Sequence, residues 1–159
     1  MADTEKTQPS GAELYRGLAT EFLHHYRRGP RYIAITGVPG SNPGRVADLL
    51  ASALNDAGQP TERKTVTDAP TADEFRDATI APFRSRDDVL VVDGLDLLSK
   101  EFRGFWNFSI WLEHDPARTS DWSFVAIEQE QLGSPRESAS VMLDDVNPER
   151  PQRLWADYC

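Results

Sequence analysis

The chain has 159 residues, a formal net charge of −9 and one cysteine, Cys159. That charge argues against a nucleic-acid or anionic-membrane surface, which needs clustered Lys and Arg, and a single cysteine can form neither an internal disulfide nor a paired thiolate metal site. No apolar run approaches the ~20 residues that span a bilayer and the N-terminus lacks a charged-then-apolar signal pattern, so the expected setting is cytoplasmic and the expected partner is a metabolite or a protein with a basic patch.

In chain order, residues 1–10 are polar and aperiodic and read as a disordered tail. One domain is expected over 11–159. Leu14, Leu18, Phe22, Leu23 and Tyr26 repeat at helical spacing and predict an amphipathic helix over 11–28, stopped by Gly29-Pro30. Tyr32 to Thr36 is an apolar run suited to a strand covered on both faces. A helix follows over 44–56, with Asn42 as its N-cap and Pro43 tolerated in its first turn. Gly58-Gln59-Pro60 is a turn, and Arg63 to Thr67 a second strand. Thr71-Ala72-Asp73-Glu74 opens a helix with Phe75, Ala78, Ile80 and Phe83 as its apolar positions.

Asp88 to Gly94 is the clearest strand, a buried apolar run that ends in a carboxylate and a glycine. Leu95 to Phe102 is expected as a short helix and Phe105 to Glu113 as a strand with Phe108, Ile110 and Leu112 on one face and Trp111 on the other. Asp115 to Gln131 is polar and partly helical, Ala139 to Leu143 is a last strand, Asp144 to Arg150 a polar turn, and 151–159 an extended segment or short turn. About five strands with helices between them predict a doubly wound, mainly parallel α/β sheet. Ligands of such sheets bind at the carboxyl ends of the strands. Three features belong to that edge: Asp68, Asp93 and the glycine-rich stretch after the first strand.

That stretch runs Gly37-Val38-Pro39-Gly40-Ser41-Asn42-Pro43-Gly44-Arg45-Val46. Strand, glycine turn and helix is the setting in which backbone N–H groups cradle phosphate, with the pattern G-x-x-x-x-G-K-[ST]. Counted from Gly37, Asn42, Pro43 and Gly44 fall where glycine, lysine and hydroxyl are required. With Gly44 as the second glycine, Arg45 and Val46 take the lysine and hydroxyl places and Pro39 the first glycine. Either register keeps the shape of a phosphate loop and loses part of its chemistry. Gly37, Gly40, Ser41, Asn42, Gly44 and Arg45 are the candidate phosphate-binding residues; the other reading of the loop is a tight turn kept for packing.

The segments Ile33 to Gly37, Pro43 to Leu50, Val89 to Leu95, Phe105 to Leu112, Val141 to Asp145 and Asn147 to Pro151 resemble, in order, the uridine kinase and phosphoribulokinase group of P-loop kinases, especially the uridine kinase-like proteins of actinobacteria. The resemblance implies ATP and Mg²⁺ as cofactors, Asp93 as a metal-positioning carboxylate and Asp68 as the base that acts on an acceptor hydroxyl. It also marks departures. The loop lysine and hydroxyl are missing, the acceptor-binding segment is absent, and Arg118 and Arg136 are the only arginines left for a lid. Asp93 reads equally as a cap on the Gly94-Leu95 turn, and Asp68 as part of a helix N-cap region.

His24 and His25 are chain neighbours that face different directions, and His114 has no apparent partner, so no histidine metal site is expected. Ser41 lacks nucleophile-elbow spacing. Phe102, Phe105, Trp106, Phe108 and Trp111 read as core or as a partner-binding patch. Three functions follow: a degenerate uridine kinase-like protein that binds a nucleotide or small phosphorylated metabolite with weak or no phosphotransfer, an active ATP-dependent kinase of nucleosides or small molecules, or a non-catalytic interaction protein.

Overall fold

The computed structural model describes residues 11–67, 70–113 and 139–154. Helix α1 (Gly11–His25) precedes strand β1 (Arg31–Gly37), helix α2 (Pro43–Asp56) and strand β2 (Thr61–Val66). Helices α3 (Ala72–Phe75) and α4 (Ala81–Phe83) flank a π turn at Arg76–Ile80 and lead into β3 (Val89–Gly94). Strands β4 (Phe108–Leu112), β5 (Val141–Asp144) and β6 (Gln152–Leu154) complete one sheet of order β2-β3-β1-β4-β5-β6. The first five strands are parallel, and β6 pairs antiparallel with β5.

The expected doubly wound α/β sheet is therefore present, with one strand more than the five anticipated. The addition, β6, lies in the segment read as extended. The amphipathic stripe of α1 supplies Tyr15, Leu18, Ala19 and Phe22, and that of α2 supplies Val46, Ala47, Leu50, Ala51 and Leu54. Both stripes cover the sheet face that carries Ile33, Ile35, Val89, Val91, Phe108 and Ile110. The opposite face carries Tyr32, Ala34, Leu90 and Val92 and is covered by Phe75, Ile80, Phe83, Leu97 and Phe102. All seven residues of β1 are buried, as a strand covered on both faces requires. Much of the aromatic group is thus core, with Phe102, Phe108 and Trp111 buried and Trp106 donating its indole N–H to the Leu97 carbonyl at 2.8 Å.

Local expectations fail in places: the π turn leaves Ala78 exposed and buries Thr79 instead, and the strand expected from Phe105 begins only at Phe108. Residues 95–102 form successive turns rather than a helix, and a 3₁₀ turn follows at Arg103–Phe105. Asp96 sits at φ +65°, a left-handed conformation that an α-helix cannot include. The turns let Leu97, Leu98 and Phe102 point inward together. The stretch 115–131, His114, Arg118, Arg136 and Cys159 lie outside the described residues.

At the amino edge of the sheet the first residue of β1 is Arg31, only 2 % exposed. It donates to the carbonyls of Gly29 (2.9 Å), Tyr26 (2.8 Å) and Asp87 (3.1 Å) and to the side-chain oxygen of Gln59 (3.0 Å). Its fork ties the end of α1, the turn before β2 and the start of β3 to one point, a geometry that a lysine ammonium cannot reproduce. Arg31→Met leaves these acceptors without their donors and is expected to cost about 3 kcal/mol, with Arg31→Lys recovering only part of it; urea unfolding of the two variants measures the difference.

Candidate functional site

The sheet order places the crevice. From β1 the chain passes through α2 towards the β2 edge, whereas β4 leads to β5 on the other side. The carboxyl ends of β1 and β4 therefore flank a topological switch point, where ligands of this architecture bind. The glycine-rich loop sits there. A Cβ on Gly37 would lie 2.6 Å from Leu112 Cβ and 2.8 Å from Ser41 Oγ, so close approach of loop to strand requires glycine at this place. Gly40 turns at φ +95°. Asn42 caps α2, its side-chain oxygen accepting from Arg45 N–H at 3.1 Å, and Pro43 occupies the first helical turn.

A phosphate loop works by leaving N–H groups open to an anion. In this loop most are already used. Val38 N–H donates to the Leu112 carbonyl (3.1 Å) and Ser41 N–H to the Val38 carbonyl (3.1 Å). Asn42 N–H donates to Asp145 Oδ2 at 2.7 Å, and Arg45 N–H goes to the cap. Pro39 and Pro43 have no N–H. Only the N–H groups of Gly40 and Gly44 lack an acceptor among the described residues. The Asp145 carboxylate is fully buried and holds the loop as an external anion would, from inside the protein.

The two candidate charges of the loop edge are also engaged. Arg45, at the lysine place of the second loop register, forms an exposed ion pair with Glu149. Beside them Tyr15 donates its hydroxyl to the Pro148 carbonyl at 2.9 Å. Burial, with Asp145 and Glu149 nearby, pushes that phenol well above its usual range, while Arg45 opposes the shift, so Tyr15 is a fixed neutral donor. Asp93, the last residue but one of β3, is buried, with Oδ2 3.5 Å from where a Cβ of Gly44 would stand. Thr65 Oγ1 donates towards its two oxygens at 3.0 and 3.2 Å, and the Arg63 guanidinium pairs with Oδ1. Arg63 also pairs with Asp48 on α2. Among the described residues no group of three or more His, Cys, Asp or Glu side chains is arranged to hold a metal. Asp68 lies outside the described residues.

The structure thus brings Gly37, Gly40, Ser41, Asn42, Gly44 and Arg45 together at one edge with Asp93 beneath Gly44. Sequence reasoning missed Arg63, Thr65, Asp145 and Glu149, which complete the arrangement. Arg63 and Thr65 are two apart and share a strand face, and Thr65 is the register partner of Asp93. That face becomes readable only once the β2–β3 pairing is known.

Next to the loop, a cavity of about 890 Å³ opens over the ends of β2 and β3. Its walls include Pro43, Val66, Thr71, Leu97 and Phe102, with Asp73, Asp96 and Glu101 as charged members and neither Lys nor Arg among the described lining residues. Three carboxylates and no cation suit a hydroxylated or cationic small molecule and oppose a phosphate group.

No protein-family model matches this chain, and neither does any curated protein sequence. Solved structures do. A possible uridine kinase from Bacillus stearothermophilus is 14 % identical and superimposes with a TM-score of 0.63 over 82 % of this chain and 97 % of its own. A candidate fructose transport system kinase from Silicibacter sp. TM1040 is 19 % identical, with a TM-score of 0.52 over 82 % of this chain and 92 % of its own. FlhF complexed with GTP and Mg²⁺ is 16 % identical, with a TM-score of 0.52 over 90 % of this chain and 77 % of its own. At these identities the likeness concerns the fold, an α/β fold of the P-loop NTPase type with kinase-like neighbours.

The Asp145 contact predicts how the loop treats anions. Asp145→Asn keeps an oxygen for Asn42 N–H and removes the buried charge, so inorganic pyrophosphate should bind on the order of tenfold more tightly; isothermal titration calorimetry on both proteins checks this, and equal affinities would remove Asp145 from the account.

Proposed function

We propose that this protein is a degenerate uridine kinase-like protein that engages a nucleotide or small phosphorylated metabolite weakly and does not carry out efficient phosphoryl transfer. The observation that carries this reading is the internal use of the loop N–H groups, above all Asn42 N–H held by the buried Asp145 carboxylate. Phosphoryl transfer depends almost entirely on positioning and on stabilising spread negative charge. Among the described residues this edge supplies two N–H groups without acceptors and an exposed arginine already paired to Glu149. An exposed pair of that kind is worth only about 0–1 kcal/mol, so Arg45 is free to turn towards an arriving phosphate. That supports weak binding. It does not supply the fixed cation that a transition state needs.

Mg²⁺ would neutralise phosphate charge if it were held here. The residues present do not fit it: Asp93 is paired with Arg63 and Thr65, and the loop offers Gly44 or Val46 where a metal-binding hydroxyl is required. The cavity over the ends of β2 and β3 has room for a hydroxylated acceptor, and its carboxylate lining suits one. With no competent phosphate donor site next to it, that acceptor space supports binding rather than turnover.

The test pairs binding with turnover. Thermal denaturation with ATP is expected to show a small rise at millimolar nucleotide, because a ligand specific to the native state must stabilise it. Transfer of labelled phosphate from ATP to uridine and other nucleosides should stay at background. Turnover lost in both Asp68→Asn and Asp93→Asn would overturn the proposal in favour of an active kinase, and a melting temperature indifferent to nucleotide would favour an interaction protein.

A further inference from the structure

Asp93 stands at the end of the central parallel ladder, where the fold type leads one to look for a metal-positioning carboxylate, yet its surroundings are built for a different cation. Its carboxylate is about as buried as the core around it, at 4 % exposure. Two side chains from β2 converge on it, the Thr65 hydroxyl and the Arg63 guanidinium. They share the face of β2 that looks towards α2, because residues two apart on a strand point the same way and the same guanidinium reaches Asp48 on α2. The third donor of Arg63, Nε, is buried without an acceptor among the described residues. The two carboxylates therefore hold the side chain in place, and not a complete set of hydrogen bonds.

We infer that Arg63 is a resident cation that takes the place of a divalent metal beside Asp93. A guanidinium against one carboxylate oxygen neutralises the charge that would attract a dication and repels the dication itself at short range. The single proton of the Thr65 hydroxyl is shared between the two oxygens, and the loop residues above, Gly44 and Val46, bring no oxygen side chain to complete a coordination sphere. Mg²⁺ needs near-ideal octahedral oxygen geometry and dehydrates reluctantly, so Asp93 and Asp48, both already paired with the same arginine, are a poor anchor. Whatever the loop binds, it binds independently of divalent metal.

The experiment uses the metal alone, which separates it from the nucleotide-binding proposal. Mn²⁺ is titrated into the full chain and the free aquo-ion signal is followed by electron paramagnetic resonance. The wild-type protein is expected to leave that signal unchanged at millimolar concentration. Arg63→Gln keeps a polar side chain but frees the charge of Asp93, and should bind Mn²⁺ about tenfold or more tightly than wild type. Arg63→Gln combined with Asp93→Asn should lose that gain. Mn²⁺ binding by the wild-type protein that Asp93→Asn abolishes would overturn the inference, and so would an Arg63→Gln protein that is folded and still indifferent to Mn²⁺. Should Arg63→Gln not fold, the wild-type titration with Asp93→Asn as its control decides alone.

Discussion

Everything at the carboxyl edge depends on how β1 is buried. Its seven residues are covered on both faces and paired in parallel with β3 on one side and β4 on the other. A strand so enclosed releases its chain at one place only, beyond Gly37, where that residue is the register partner of Leu112. The contact leaves no room for a side chain, and the next residues must turn sharply to start α2. Gly37, the positive φ of Gly40, the Asn42 cap and Pro43 in the first helical turn all serve that manoeuvre. The loop keeps its shape for reasons of packing that operate whether or not a phosphate ever enters it.

Charge at the same edge follows a second rule. The protein is acidic overall, but the three carboxylates around the loop itself, Asp93, Asp145 and Glu149, are each engaged by a donor of the chain. Asp93 has Arg63 and Thr65, Asp145 has the Asn42 amide, and Glu149 has Arg45. Burying a carboxylate without a partner is costly, and each of these is matched by a donor supplied from the chain. The same pairings consume the groups that an anion or a metal would use. A site whose charges are satisfied internally is stable and poorly receptive, because a ligand must displace a partner before it makes a contact of its own.

The fold was legible because its signals are local. Apolar runs at Tyr32 to Thr36 and Val89 to Val92 mark strands buried on both faces, and the helical spacing of Leu14, Leu18 and Phe22 marks α1. The Asn42 cap followed from the residue types alone. The turns at 95–102 did not, since Leu97, Leu98 and Phe102 can share a helix face as easily as a folded-back loop, and only the left-handed Asp96 decides between them. β6 was legible only as an extended stretch, because an edge strand of three residues has no periodicity to read. For the site, the loop and Asp93 were legible as positions, whereas their partners were not. Arg63 is 30 residues from Asp93 and Asn42 is 103 from Asp145, and pairings at that separation exist only once the sheet order is set.

Loss of a single lysine would leave a phosphate loop weakened but open, with its N–H groups still aimed at solvent. This loop differs from that case in several places at once. Pro43 deletes a donor, Asn42 turns its side chain into a cap for Arg45 N–H, and Asp145 reaches across from the end of β5 to take Asn42 N–H. An arginine then lies where Asp93 would otherwise invite a metal. These features support one another: the Asn42 side chain and the Asp145 carboxylate accept from N–H groups that would otherwise be left wanting. Consistency of that kind across separate elements is what a sequence shows when it specifies a structure. The loop is therefore a complete strand-to-helix junction in its own right, and its resemblance to a phosphate cradle lies in the course of the backbone rather than in the electrostatics around it.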